Sequence, residues 1–374
     1  MSENQKTYKE YPIPFSSYDF FGYLAPGIAF ITLIFSFEFY MRCNVNGYSS
    51  FLLSFIKYVI KYQSYLIQKL GLIYQIAILI FAILLIYILG HFISTLSSFF
   101  IDRILIFKSY GYPFNNLILQ SDISEVRDIK KDHDYASANF YKATFFWINI
   151  FVVSFFINNC CIQIKIFILF KYIYYMSKFL LIILIFIKLY PYLLRIFSKK
   201  WPEFIFPTTR VIIYWLSTPF NYISNFLSNY INTKRGFDDE FIKKTIQFIR
   251  INFKIKQKNI NKYNTNVFWL PYMYVAKNSI IFYQLMKEWL HLYSFMRNLS
   301  TAVYFGFIYI VIQSYVNREI LNYSEYTTLI YIILITFSLS ILFLVRYYYL
   351  FYCYFTKFTF RAFYLLNIEE EKTE

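Results

Sequence analysis

Hydrophobic and polar positions in this chain alternate on the scale of whole helices, not single residues. Apolar runs approaching the ~20 residues that span a hydrocarbon core are separated by Lys-bearing stretches, a pattern that predicts an all-α, polytopic transmembrane protein. The runs place six crossings, at about 26–41, 72–90, 143–162, 179–196, 299–316 and 327–345, or four or five if 162–190 packs differently. Between the first two, FLLSFIKYVIKYQSYLIQKL (51–70) sets Lys57 and Lys61 one helical step apart, predicting an amphipathic surface helix. The helix of the second crossing is expected to continue past His91 towards Phe107. The chain thereby divides into a cytosolic or interfacial lead-in (1–25), a first hairpin (26–100), a linker (101–142), a second hairpin (143–196), a basic domain (197–298), a third hairpin (299–345) and a tail (346–374). A transmembrane barrel would alternate with period two and need many turn residues, whereas 374 residues here include 8 Gly and 9 Pro.

Local signals refine these elements. SSYDFFGYLAPGIAF (16–30) mixes Asp19, two glycines and Pro26 into an apolar run. Proline is best tolerated in the first helical turn, so the crossing is expected to start at Pro26, with Asp19 in headgroup water capping a short helix. That leaves about 16 residues, a short span of ~24 Å. The polar opening MSENQKTYKE, with no small-residue cleavage site after it, reads as preceding a retained span and not a signal peptide. In GFDDEFIKKTIQFIR, Asp238, Asp239 and Glu240 suit a helix N-terminus, and Phe241, Ile242, Ile246, Ile249 and Phe253 form its apolar stripe. INFKIKQK alternates apolar and basic residues, as a short strand would. From Trp269 to Arg297 a second amphipathic helix is expected to run directly into the fifth crossing.

Charge orients this scheme. Placing both termini in the cytoplasm puts most of the 37 Lys and Arg on the inner side. The segments 102–142 and 197–298 then form a mainly helical, basic cytosolic layer. Within it, 241–287 holds nine bases and no Asp or Glu, interleaved with aromatics. One reading is a site for an anionic nucleotide or oligonucleotide, with Lys243, Lys244, Arg250, Lys254, Lys256 and Lys258 as ligand residues and rings for base stacking. The other is that inner loops are basic because topology and anionic headgroups favour it. Two ionisable residues fall inside crossings: Glu38 near the outer end of the first, and Lys188 three residues before Pro191 in the fourth. These are the candidate pore residues, because an intramembrane charge needs pairing or hydration; Lys188 could equally snorkel from a helix that ends early.

Other chemistry is sparse. Cys43, Cys160, Cys161 and Cys353 show no metal-ligand spacing, and His91 beside Gly90 reads as a packed or interfacial residue. No catalytic motif or Gly-rich phosphate loop occurs, so neither an enzyme, a cofactor nor a metal is expected. The 46 Phe and 40 Tyr reflect AT-rich codon bias together with the fitness of Tyr for membrane–water interfaces. No repeat relates the two halves, which disfavours a transporter.

YDFFGYLAPG (18–27) resembles the opening of a loose group of bacterial inner-membrane proteins that begin with Tyr-Asp-x-x-Gly-Tyr-x-x-Pro-Gly. LYSFMRNLSTA (292–302), followed by two crossings and an Arg/Tyr-rich tail, is also similar to that group. The resemblance implies a multi-pass protein of the bacterial inner (cytoplasmic) membrane. Some related proteins resemble membrane effectors of anti-phage defence systems, in which a cytosolic signal controls a pore. The expected function is therefore a homo-oligomeric channel or pore-forming effector, gated by a nucleotide or oligonucleotide and served by a cognate nucleotidyltransferase. The resemblance carries over no ligand or catalytic residue. Two alternatives stand beside it: a membrane-anchored structural subunit of a larger complex, and a small-molecule carrier.

Overall fold

The computed structural model describes residues 19–107, 143–144, 146–155, 172–185, 218, 237–254 and 266–373. Among these residues all regular structure is helical. The helices are α1 (Phe20–Asn44), α2 (Phe51–Ser97), α3 (Phe146–Phe155), α4 (Tyr172–Ile185), α5 (Asp239–Phe253), α6 (Asn266–Asn278), α7 (Ile280–Val316), α8 (Tyr323–Tyr349) and α9 (Thr356–Thr373). π-helical turns open α1 (Phe20–Leu24), extend α2 (Ser98–Phe107) and join α8 to α9 (Leu350–Phe355).

Four helices among the described residues are long and apolar enough to cross a bilayer, where the sequence pattern predicts six: Phe20–Asn44, Gln75–Arg103, Ile280–Val316 and Ser324–Tyr349. The two further expected crossings are represented by α3 and α4, which are shorter, and the rest of 143–162 and 179–196 lies outside the described residues. The four spans form antiparallel pairs. α1 and α2 are joined through 45–50, and α7 and α8 through the turn holding the short helix Arg318–Ile320. Both connections lie at one end of the bundle, here the loop end. The start of α1, the end of α2, the middle of α7 and the end of α8 meet at the other. Phe155 of α3 reaches the loop end, its ring 5.3 Å from that of Tyr315.

The described part of the lead-in expected to stay in headgroup water, 19–25, is already helical. Asp19 has helical dihedrals and makes no capping hydrogen bond, so α1 is 25 residues long and not the short span predicted from Pro26. The π turn accounts for the difference, because widening the helix ahead of Pro26 relieves the clash of its ring with the carbonyl four residues earlier. Helix α2 is likewise continuous: the amphipathic segment 51–70 and the second crossing are one helix of 47 residues. With no Pro in that run, nothing interrupts its backbone hydrogen bonding. In the span, Leu79, Phe81, Ile88 and Phe92 are exposed, as on a helix bathed in lipid.

Outside the spans, α6 and α9 pack on the first half of α7, and α5 packs on α6 and α9. Ile242, Ile246, Phe248 and Ile249 of α5 are buried together with Phe268 and Val275 of α6, Met286 of α7, and Phe360 and Phe363 of α9. The expected stripe on α5 is present, with Phe241 and Phe253 at its margins. Two details differ from the sequence pattern. Ile251–Phe253 finish α5 instead of starting a strand, since the stripe continues through Phe253 and the chain turns at Lys254 (φ 51°). The predicted helix 269–297 is broken at Ser279, whose extended backbone and side chain cap α7 by accepting from the Phe282 N–H at 3.4 Å.

Candidate functional site

The central helix is α7. Its 37 residues measure ~55 Å at helical rise, well beyond a ~30 Å hydrocarbon core. One part therefore packs with the helical layer while the remainder crosses. Two buried polar nodes lie along it.

The first node lies where the spans meet the layer. Asn298, fully buried, donates through Nδ2 to the Gly22 carbonyl at 2.7 Å and to Ser94 Oγ at 3.1 Å, and its Oδ1 accepts from the Ser97 hydroxyl and from Arg297 Nε (3.2 Å). Gly22 lies four residues before Pro26, which has no N–H to offer that carbonyl, and Asn298 supplies a donor to it. Arg297 forms an ion pair with Asp102, and Asp102 also accepts the Tyr347 hydroxyl at 2.5 Å. The side chains of Arg297 and Asp102 are 9% and 31% exposed, so the pair is partly dehydrated. One turn further on, Ser300 and Ser340 exchange hydroxyl-to-carbonyl hydrogen bonds of 2.8 and 3.0 Å between α7 and α8. All four spans are thus tied at one level.

The second node centres on Glu38, 1% exposed on α1. Its Oε1 accepts the hydroxyls of Tyr309 and Tyr48 (3.1 Å), and its Oε2 accepts that of Ser50 (2.7 Å). Among the described residues no cationic side chain pairs with it. The cage draws on α1, the connection 45–50 and α7. It closes because Gly47, at φ +80°, turns the chain back so that Tyr48 and Ser50 reach Glu38. Burial, followed by the negative charge of Glu38, pushes the Tyr48 phenol above its ordinary range.

The candidate ligand residues lie elsewhere. Lys243 and Lys244 are exposed on α5, Arg250 is half-buried in its last turn, and Lys254 is exposed at its C-terminus. Lys243 and Arg250, seven residues apart, share a flank beside the apolar stripe. The bases at the end of α5 also suit its dipole. Lys256, Lys258 and Lys188 lie outside the described residues. The structure does not bring Glu38 near the α5 bases, since α5 packs in the layer and Glu38 lies towards the loop end. Sequence reasoning missed Asp102, Arg297, Asn298 and Tyr347, treating the first two as ordinary inner-side charges. The available signal was Ser94 and Ser97, Arg297 and Asn298, and Ser300 and Thr301, small or polar residues at helical spacing inside apolar runs. His91 is a packed residue, stacked on Tyr23 with ring centroids 3.7 Å apart. No cluster of three or more potential metal ligands of the His, Cys, Asp and Glu types occurs among the described residues.

Comparison of the chain with protein-family models, with curated proteins and with solved structures returned no match.

Proposed function

We propose that this multi-pass helical membrane protein is a ligand-controlled channel, a pore-forming effector that assembles as a homo-oligomer in the bacterial inner membrane. The observation that carries the proposal is the continuity of α7. One helix packs Met286 into the helical layer, holds Arg297 and Asn298 where the four spans meet, and brings Tyr309 to the buried carboxylate Glu38. A shift of the layer is transmitted along a rigid rod to an ionisable group inside the membrane, the type of residue that marks ion pathways. A ligand that binds one arrangement of the layer more tightly shifts the population of the other. The exposed Lys243, Lys244 and Lys254 favour an anionic ligand, a nucleotide or short oligonucleotide. A nucleotidyltransferase is the matching partner. The defence assignment and the cytoplasmic placement of both termini rest on the sequence resemblance and on the distribution of Lys and Arg.

The test is ion flux from liposomes containing the purified full-length protein, with cyclic nucleotides and short oligonucleotides added outside. Flux that responds to one ligand class and loses the response in Lys243→Gln/Lys244→Gln supports the proposal. Flux that ignores every nucleotide and is unchanged by those substitutions overturns it.

A further inference from the structure

A buried carboxylate in the membrane layer must be protonated, paired or otherwise compensated, because isolated charge is costly there. Glu38 has no cationic side chain as partner among the described residues, and hydrogen bonds from hydroxyls compensate it instead. Three hydroxyls, two from the connection 45–50 and one from α7, converge on its two oxygens. Each hydroxyl that donates its proton to the carboxylate keeps oxygen lone pairs. Five oxygens from four residues are therefore gathered around one negative charge, a donor set of hard oxygen ligands with no nitrogen or sulfur.

We propose that Glu38, Tyr48, Ser50 and Tyr309 form a binding site for a small monovalent cation of the sodium class. The single carboxylate sets the charge: one negative group balances one positive charge, whereas divalent oxygen sites generally add further carboxylates. The site lies six residues from the end of α1, about 9 Å inside it by helical rise. The connection 45–50 covers it, so a cation enters from the loop end by displacing the Tyr48 hydroxyl, whose 3.1 Å contact is longer than that of Ser50. On binding, the three hydroxyls rotate and turn lone pairs towards the cation. This deepens the channel proposal by naming the class of ion that Glu38 handles, and it rests on that proposal only for the step from binding to conduction.

The experiment is thermal unfolding of the full-length protein in detergent, with sodium replacing choline at constant ionic strength and constant pH. The expected result is a midpoint that rises with the logarithm of sodium concentration once the site begins to fill. Glu38→Gln should abolish that dependence. Ser50→Ala, which keeps the charge and removes one oxygen, should raise the half-saturating concentration roughly tenfold, and it preserves the test if Glu38→Gln fails to fold. A sodium dependence unchanged in both variants overturns the site. So does a wild-type midpoint indifferent to sodium, whether it responds to pH alone or to calcium alone. Nucleotide-controlled flux without sodium binding would remove the cation site and leave the channel; sodium binding without any flux would do the reverse.

Discussion

The crossing of α1 and α2 is closed by glycine against backbone on both sides, and Gly90→Ala tests how rigid that closure is. A Cβ at Gly90 would stand 1.9 Å from the Tyr23 carbonyl oxygen and 2.6 Å from its carbon. At Gly27 a Cβ would stand 2.4 Å from the Ile86 carbonyl oxygen. Real Cβ contacts essentially never fall below 3.0 Å, so Gly90→Ala must separate the helices locally by about 1.1 Å. No side chain can yield in their place. The displaced backbone is that of Tyr23, next to the Gly22 carbonyl that Asn298 holds at 2.7 Å, so the same movement strains the polar node. Overpacking typically costs about 1–3 kcal/mol, and a backbone clash coupled to a buried hydrogen bond belongs at or above the top of that range. At roughly 2–4 °C per kcal/mol the midpoint should fall by about 6–12 °C. Gly306→Ala is the control. Its Cβ would meet Leu33 Cδ2 at 2.1 Å, the far end of a side chain that can rotate away, so the cost should stay within about 1 kcal/mol. Thermal unfolding in detergent, followed by the loss of monodisperse protein on size exclusion, measures both. A Gly90→Ala protein melting within ~2 °C of wild type, or a Gly306→Ala protein equally damaged, would refute the reasoning.

Three further outcomes follow from the polar contacts. Asn298→Ala leaves a buried carbonyl and two serine hydroxyls short of a partner and should cost about 1–3 kcal/mol, read as a lowered unfolding midpoint; Ser300→Ala, which removes one of two reciprocal bonds, should cost less. Asp102→Asn should destabilise by about 2 kcal/mol, discounted from fully buried pairs because Asp102 is 31% exposed, and the double variant Asp102→Asn/Arg297→Met should recover part of that loss in the same assay. Burial, and then its 2.6 Å hydrogen bond to Glu370, push the Tyr274 phenol up to about 12. Because the folded value lies above the unfolded one near 10, this contact stabilises fully below pH 10 and is lost as pH rises towards 12. In an alkaline titration of tyrosinate absorbance Tyr274→Phe should therefore remove one late-titrating tyrosine, and a titration identical to wild type would refute the assignment.

How much of this was legible in the sequence depends on the kind of signal. Long apolar runs report burial in lipid, so the helical membrane character and the spans around 72–90, 299–316 and 327–345 were readable from hydropathy. The stripe on α5 was readable because 3.6-residue periodicity encodes a one-sided environment. Helix ends were not. Pro26 marks a first turn in ordinary α-helix, but a π turn ahead of it let α1 start six residues earlier. Ser279 broke a helix that periodicity carried through, because a cap is a matter of one residue's dihedrals. Glu38 was recognised as an ionisable residue in a span, whereas its cage was not. Tyr48, Ser50 and Tyr309 converge only through a turn at Gly47 and a helix 271 residues away. Asp102 and Arg297, 195 residues apart, likewise give no local sign of each other.

The two stretches that carried the sequence resemblance meet in space. YDFFGYLAPG contributes the Gly22 carbonyl, the Tyr23 backbone against which Gly90 packs, and Pro26 and Gly27; LYSFMRNLSTA contributes Arg297, Asn298, Ser300 and Thr301. The hydrogen bond from Asn298 to Gly22 spans 276 residues of sequence, and it joins the helix whose proline withholds a donor to the side chain that supplies one. A short motif around Pro26 therefore makes physical sense only together with its partner on α7. The glycines let the backbones approach, the proline leaves the Gly22 carbonyl to be served from outside its own helix, and the asparagine serves it. The pair defines the level at which the helical layer grips the spans. On the channel mechanism proposed above, a signal received in the layer would pass through this level to reach Glu38, so variants that loosen it should uncouple ligand binding from flux before they abolish either.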